Sequence, residues 1–230
     1  RIEGSHIHVG AMVRQRALEK HEGLKVLCPI LNEALLQVGH FQTRNRGTIG
    51  GNIAHADPAS DLPTVLLALG ANMHVTGLSS ARRVTRVIEA ADFFVGFFAT
   101  ALAEDEILLA VDVPAKQDGT GTAYAKLSNP ASRYAMLGAA ASLTIAGGVC
   151  TQASVAIGGL VANATKASSV EAALNGQQLS DAVIAAAAAA VDNDLGDQVL
   201  GDIHASADYR RSVAPVYVER ALRDAIKRAG

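Results

Sequence analysis

The chain has 230 residues, half of them hydrophobic and 18% charged, with a net charge of −2; this is the composition of a folded, soluble protein with room for one large or two modest domains. The charge balance gives no electrostatic footprint for nucleic acid or an anionic membrane, and no apolar run approaches the roughly 20 residues of a membrane span. Cys28 and Cys150 stand apart, without a CxxC or a histidine at ligand spacing, and so predict reduced core thiols of a cytoplasmic protein and not a zinc or iron–sulfur site.

In chain order, Ile7 and Val9 alternate with His6 and His8, the pattern of a half-buried strand. "VRQRALEKH" reads as a helix, and "CPILNEALLQVG" as another, with Pro29 in its first turn and Gly39 as its stop. After a glycine-containing stretch, "DLPTVLLALG" is a short apolar helix capped by Ser60 or Asp61 and ended by Gly70. "NMHVTGL" and "ARRVTRVIEA" flank Ser79–Ser80 as a hairpin. "AADFFVGFFATAL" predicts a helix and a turn, and "EILLAVDVP" a strand alternating Ile107, Leu109, Val111 and Val113.

The polar run "AKQDGTGT", 115–122, marks a boundary between domains at 1–114 and 121–230. Beyond it come three strands, "AYAKLS", "LGAAASLTIAGG" and "VCTQASVAIGGL", the last two joined by a tight Gly147–Gly148 turn. Three helices follow; in the last, Val213, Val216, Tyr217 and Ala221 form a stripe, and Pro215 must kink or split it. The fold class is α+β, with an antiparallel three-stranded sheet and a helix bundle on one side in the C-terminal part.

The stretch "RNRGTIGGNIAHADPASDLP", 44–63, carries the chemistry. Gly50 and Gly51 let a ligand approach without a Cβ clash, consecutive N–H groups there can converge on an anion, and Thr48 and Asn52 add side-chain donors. A plain turn with an Asn-stabilised bend fits the same residues. Neither GxxxxGK[ST] nor GxGxxG is present. Asp61 suits a helix N-cap or a carboxylate for a ribityl or ribose hydroxyl, and the two roles are compatible. Tyr124 and Lys126, two apart on a strand, share a face that could meet a flavin edge, although taken alone an edge-strand lysine in solvent is the commoner arrangement. His40, His55 and His74 read as surface or satisfied histidines without a partner ligand, and no spacing picks out a catalytic residue or a metal ligand set.

Together, "IHVGAMVRQRALE", "GHFQTRNRGTIGGNIAHADPASDLPTVLLAL", "DEILLAVDVP", "YAKLSNPASRYAMLGAAASL" and "HASADYRR…ERAL" resemble the FAD-binding medium subunit of the molybdenum hydroxylases, in that family's order and spacing. The resemblance implies that Thr48, Ile49, Gly50, Gly51 and Asn52 line the FAD pyrophosphate and ribityl region. Asp61 matches the acid that hydrogen-bonds the ribityl chain, Lys126 the lysine near the isoalloxazine, and Tyr124 a residue flanking the ring. It further implies an FAD-binding α/β subdomain before the C-terminal sheet and helices, and an electron-transfer role. The implied partners are a large subunit with the molybdenum cofactor and a small one with [2Fe–2S] clusters, joined as a dimer of heterotrimers. The family's N-terminal subdomain, with its AGGxS motif, has no counterpart here, so the resemblance implies a chain that starts late. The rival expectation is a truncated scaffold subunit that holds no FAD.

Overall fold

The computed structural model describes residues 1–79 and 82–230. Strands β1 (Ile2–Glu3) and β2 (His6–Gly10) open the chain, and Ile7 and Val9 face the core as their alternation predicts. Helices α1 (Gln15–Glu19), α2 (Glu22–Leu27), α3 (Pro29–Gln37), α4 (Phe41–Arg46), α5 (Ile49–His55) and α6 (Asp61–Leu69) follow. Pro29 begins α3, where its missing N–H and preset φ cost nothing. A buried cluster of polar side chains ties these short helices together. Arg44 donates to the Glu19 carboxylate (2.8 Å) and to the Val38 carbonyl (2.8 Å), and the Asn32 amide donates to the Glu19 carbonyl (2.9 Å).

Strands β3 (Asn72–Ser79) and β4 (Arg82–Glu89) form the expected hairpin, whose turn lies outside the described residues. The stretch read as a helix and a turn gives a four-residue helix α7 (Ala90–Phe93) and a small hairpin of β5 (Phe94–Gly96) and β6 (Ala99–Thr100). Strand β7 (Ile107–Pro114) completes a five-stranded sheet of order β1-β2-β7-β3-β4, antiparallel throughout. Its expected alternation holds only for Val111 and Val113. The pairing passes from Val75–Leu108 to His74–Ala110, so Leu109 is an extra residue, and Ile107 and Leu109 turn outward.

The second sheet contains β8 (Thr120–Ser128), β9 (Ala135–Ala146), β10 (Val149–Gly158) and a short edge strand β11 (Thr165–Lys166), in the order β11-β10-β9-β8. It thus has one strand more than expected, and Gly147–Gly148, both at positive φ, make the β9–β10 turn. Helices α8 (Ser168–Leu174), α9 (Asp181–Ala189) and α10 (Ala207–Ala229) cover one face, and a 3-10 turn at Ala190–Asp194 extends α9.

The other face is covered too, by α6 and α3. Along β9, Leu137, Ala139, Ala141 and Leu143 join the core under α8–α10, whereas Ala140 joins the core shared with α6. Helix α6 lies between two layers, so every residue from 61 to 68 is buried. Helix α10 runs unbroken through Pro215, and its inward stripe is Ala214, Val218, Ala221, Leu222 and Ala225, with Val216 exposed. Of the stripe expected from the sequence, Ala221 is buried, Val213 and Tyr217 are half-buried against the same core, and only Val216 turns outward. Buried Arg210 clamps the helix start by donating to the Met136 (3.2 Å) and Gly159 (2.9 Å) carbonyls and to Asp202 (2.5 Å).

Candidate cofactor-binding site

Thr48 ends an extended segment and caps α5, its Oγ1 accepting the Gly51 N–H at 3.0 Å. The Ile49 N–H donates to the Val13 carbonyl (3.0 Å), the Gly50 N–H to Ala11 (2.8 Å) and the Asn52 N–H to Thr48 (3.2 Å). The expectation of a turn with free converging N–H groups is therefore corrected: the glycines begin a helix, and the four N–H groups from Ile49 to Asn52 have acceptors within the chain. Gly50 is required for packing, since a Cβ there would stand 2.8 Å from the Ala11 Cα and carbonyl oxygen. Ile49 is wholly buried, which leaves Thr48, Gly51 and Asn52 on the outward side of the turn. A Cβ at Gly51 would meet only the Thr48 hydroxyl, at 2.9 Å.

Asn52 links this turn to the next helix. Its Oδ1 accepts from the Ser60 hydroxyl (2.7 Å), which leaves its amide nitrogen to donate outward. The intervening loop is pinned to the second sheet where the Pro58 carbonyl accepts from Gly159 (2.8 Å) and the Ala59 carbonyl from Ala135 (3.0 Å). Ser60 occupies the cap position of α6 and Asp61 its first turn, and neither side chain caps it, so the N-cap reading of Asp61 is corrected.

The Asp61 carboxylate instead accepts from the Tyr124 hydroxyl (2.6 Å) and the Lys126 ammonium (2.8 Å). Lys126 also donates to the Gln37 carbonyl (2.9 Å), and its side chain is fully enclosed. Tyr124 and Lys126 do share a face of β8, but it meets α3 and α6 and not solvent. The Tyr124 ring leans over Gly138, the β9 partner of Lys126, and has room there only because a Cβ, which would lie 2.5 Å from the hydroxyl, is absent. Burial pushes the Asp61 carboxyl above its usual range, with Lys126 and Tyr124 opposing. Burial likewise pulls the Lys126 ammonium down against the attraction of Asp61, and it drives the Tyr124 phenol well up, with Asp61 adding to the rise. A hollow of about 260 Å³, open to solvent, lies at the opposite end of α6, beside Gly70 and Lys116, so concavity alone does not mark this place.

The structure therefore brings together residues from three segments, at 48–52, 61 and 124–126, which the sequence could only assign separately. Residues 1–116 match the family described as the FAD binding domain in molybdopterin dehydrogenase, and residues 122–225 match the CO dehydrogenase flavoprotein C-terminal domain. The chain belongs to the FAD-binding medium subunits of the molybdenum hydroxylases. Its curated relatives include the carbon monoxide dehydrogenase medium chain of Afipia carboxidovorans, 34% identical over 100% of this chain and 77% of the relative. The alpha subunit of the 6-hydroxypseudooxynicotine dehydrogenase complex of Paenarthrobacter nicotinovorans is 36% identical over 97% of this chain and 74% of its own length. Among solved structures, carbon monoxide dehydrogenase from Hydrogenophaga pseudoflava superposes with a TM-score of 0.93 at 34% identity, covering 100% of this chain and 78% of that one. The medium-subunit family is the flavoprotein component of oxidoreductases, and the chain shares its α+β fold.

One cluster escaped sequence reading. His74, read as a histidine without a partner, meets Asp112 and His8 on the first sheet. The three sit in "IHV", "MHV" and "VDV", each a polar residue between apolar neighbours, and only strand register could join them.

Proposed function

We propose that this chain carries electrons through FAD from [2Fe–2S] clusters of a small partner subunit to an external acceptor such as NAD⁺, quinone or oxygen. Hydroxylation of the substrate takes place at the molybdenum cofactor of a large partner. The convergence of Asp61, Tyr124 and Lys126 with the Thr48–Asn52 turn carries this reading. The donor set suits FAD. Gly51 offers a surface without a Cβ for a diphosphate, flanked by the Thr48 hydroxyl and the Asn52 amide nitrogen. Ile49 and Gly50 act from beneath, holding that surface against Ala11 and Val13. Asp61, with two of its acceptor positions used, keeps capacity for a ribityl hydroxyl, and Lys126, enclosed between Asp61 and the Gln37 carbonyl, bears on the isoalloxazine through its charge and not by direct contact. Tyr124 fixes Asp61 and flanks the ring.

When bound, FAD supplies a store that exchanges electrons singly or in pairs, and the chain contributes orientation and electrostatic tuning. The domains divide at 1–114 and 121–230, in keeping with the two family matches. The assembly is a dimer of heterotrimers, and the buried unpaired thiols of Cys28 and Cys150 favour the cytoplasm. Gly51→Val, purified within its complex, should lose flavin absorbance per mole of chain with an unchanged far-UV circular dichroism spectrum. Equal flavin content in variant and parent would remove the turn from the site, and a colourless parent complex would favour the scaffold reading.

A further inference from the structure

On the first sheet, β7 lies between β2 and β3, and all three strands bear a polar residue on the outward face. Asp112 pairs directly with His8 across β2–β7, and with Asn72 across β3–β7, which sets His74 diagonally beside it. The His8 Nδ1 lies 2.6 Å from one Asp112 carboxylate oxygen and the His74 Nε2 lies 2.6 Å from the other. The two imidazole rings have centroids 5.6 Å apart and are tilted at 63°, so both nitrogens point at one carboxylate from different directions. One ligand atom from each residue falls within 4.8 Å of the other two, and each side chain keeps a quarter to a third of its surface open to water.

We infer that His8, His74 and Asp112 form a binding site for one divalent transition-metal ion, with water completing the coordination. Tetrahedral bonds of about 2.0–2.1 Å set ligand atoms roughly 3.3 Å apart, which small rotations of these three side chains reach. Two imidazoles and one carboxylate suit zinc, cobalt or nickel, whereas calcium and magnesium call for more oxygen ligands. The ion replaces the two hydrogen bonds to Asp112, and each neutral ring then carries its proton on the nitrogen that faces away from the metal. It would staple three neighbouring strands, and none of its three ligands is among the residues assigned to the flavin.

The full chain, stripped with a chelator and titrated with cobalt(II) chloride, should develop visible d–d absorption that saturates at about one equivalent and is displaced by zinc. Asp112→Asn and His74→Gln should each weaken cobalt binding at least tenfold, while His55→Gln, elsewhere on the surface, should bind like the parent. Thermal unfolding in chelator checks that each variant folds, with His8→Gln replacing any that does not. The parent's melting temperature should rise with zinc, and the ligand variants' should not. Absence of a cobalt spectrum in the parent, or parental affinity in either ligand variant, overturns the site.

Discussion

The two sheets solve burial differently. The five-stranded sheet packs its Ile7, Val9, Met73, Val75, Val111 and Val113 face on helices and leaves much of the other face wet, so β4 is exposed along nearly its whole length. The four-stranded sheet is covered on both faces, and β9 is buried at each of its first seven positions. A sheet with one wet face tolerates polar side chains that need no partner from another layer. A sheet between two layers admits them only where the partner is built in, and Tyr124 and Lys126 meet that condition through Asp61. The candidate site thus lies on the seam where α6 meets the second sheet, and there Asp61 satisfies the buried polar groups of Tyr124 and Lys126.

The largest test of this contrast is Lys126→Met. It leaves the Asp61 carboxylate buried with Tyr124 as its one remaining side-chain donor, and breaking a buried pair in this way costs about 3–5 kcal/mol. Urea denaturation of the purified chain should show that loss, and Asp61→Asn in the same chain should recover much of it. A loss below about 1 kcal/mol would mean that the pair does not hold the seam.

Within the first half, Gly50→Ala drives a methyl group into Ala11, where backbone and not a flexible side chain is in the way. Overpacking of this kind costs about 1–3 kcal/mol. Ala11→Gly should rescue part of it, because the Ala11 Cβ is only one of the atoms met. Unchanged unfolding of Gly50→Ala would show that α5 is free to shift from β2.

A weaker tie crosses the seam at its open edge. Arg228 on α10 donates to the Glu33 carboxylate on α3 (2.8 Å) and to the Thr122 carbonyl (2.9 Å) on β8, and Glu33 also accepts the Tyr124 N–H (3.2 Å). The Arg228 side chain is 40% exposed, so Arg228→Ala should cost at most about 1 kcal/mol, and the cost should shrink in high salt. A salt-independent loss would point to the carbonyl contact instead.

What could be read from the chain follows the same division. Pro29, Gly70 and the Gly147–Gly148 turn act over a few residues, and each stands where local chemistry put it. The inward stripe of helix α10 was legible only in part, at Ala221 and at the half-buried Val213 and Tyr217, because it is largely alanine, and alanine marks no face by itself. The reason for small residues there is close approach to β8, where a Cβ at Gly121 would stand 2.6 Å from the Ala229 nitrogen. The candidate residues 48–52, 61, 124 and 126 were legible one by one through the family resemblance. Their hydrogen-bond partners were not, since the pairing of Asp61 with Tyr124 spans 63 residues of sequence. Equally invisible were the internal acceptors of the Ile49 and Gly50 N–H groups, which depend on a loop some forty residues earlier in the chain passing beside them.

The smallest predicted effect separates the two sheets by pH. Glu106 receives two hydrogen bonds from Arg86 (2.8 Å each) and one from the Ala103 N–H (2.9 Å), and these hold its carboxyl down at about 2. A carboxyl lowered by folding stabilises the fold above its ordinary value of 4.5, and the contribution is lost as pH falls through about 2. Asp112 acts in the same sense on the same sheet: although partial burial pushes its carboxyl up, hydrogen bonds from His74 and His8 bring it below the usual range. Acidification from 4.5 towards 2 should therefore loosen the first sheet before the second, because β9 is held by apolar packing on both faces and not by carboxylates. Amide exchange corrected for intrinsic rates should show protection falling in β4 and β7 while β9 stays protected. Glu106→Gln should lower β4 protection at pH 7 and flatten its change across that window. Equal loss in β4 and β9 would mean that the sheets open together, and the contrast between a one-faced and a two-faced sheet would then not extend to stability.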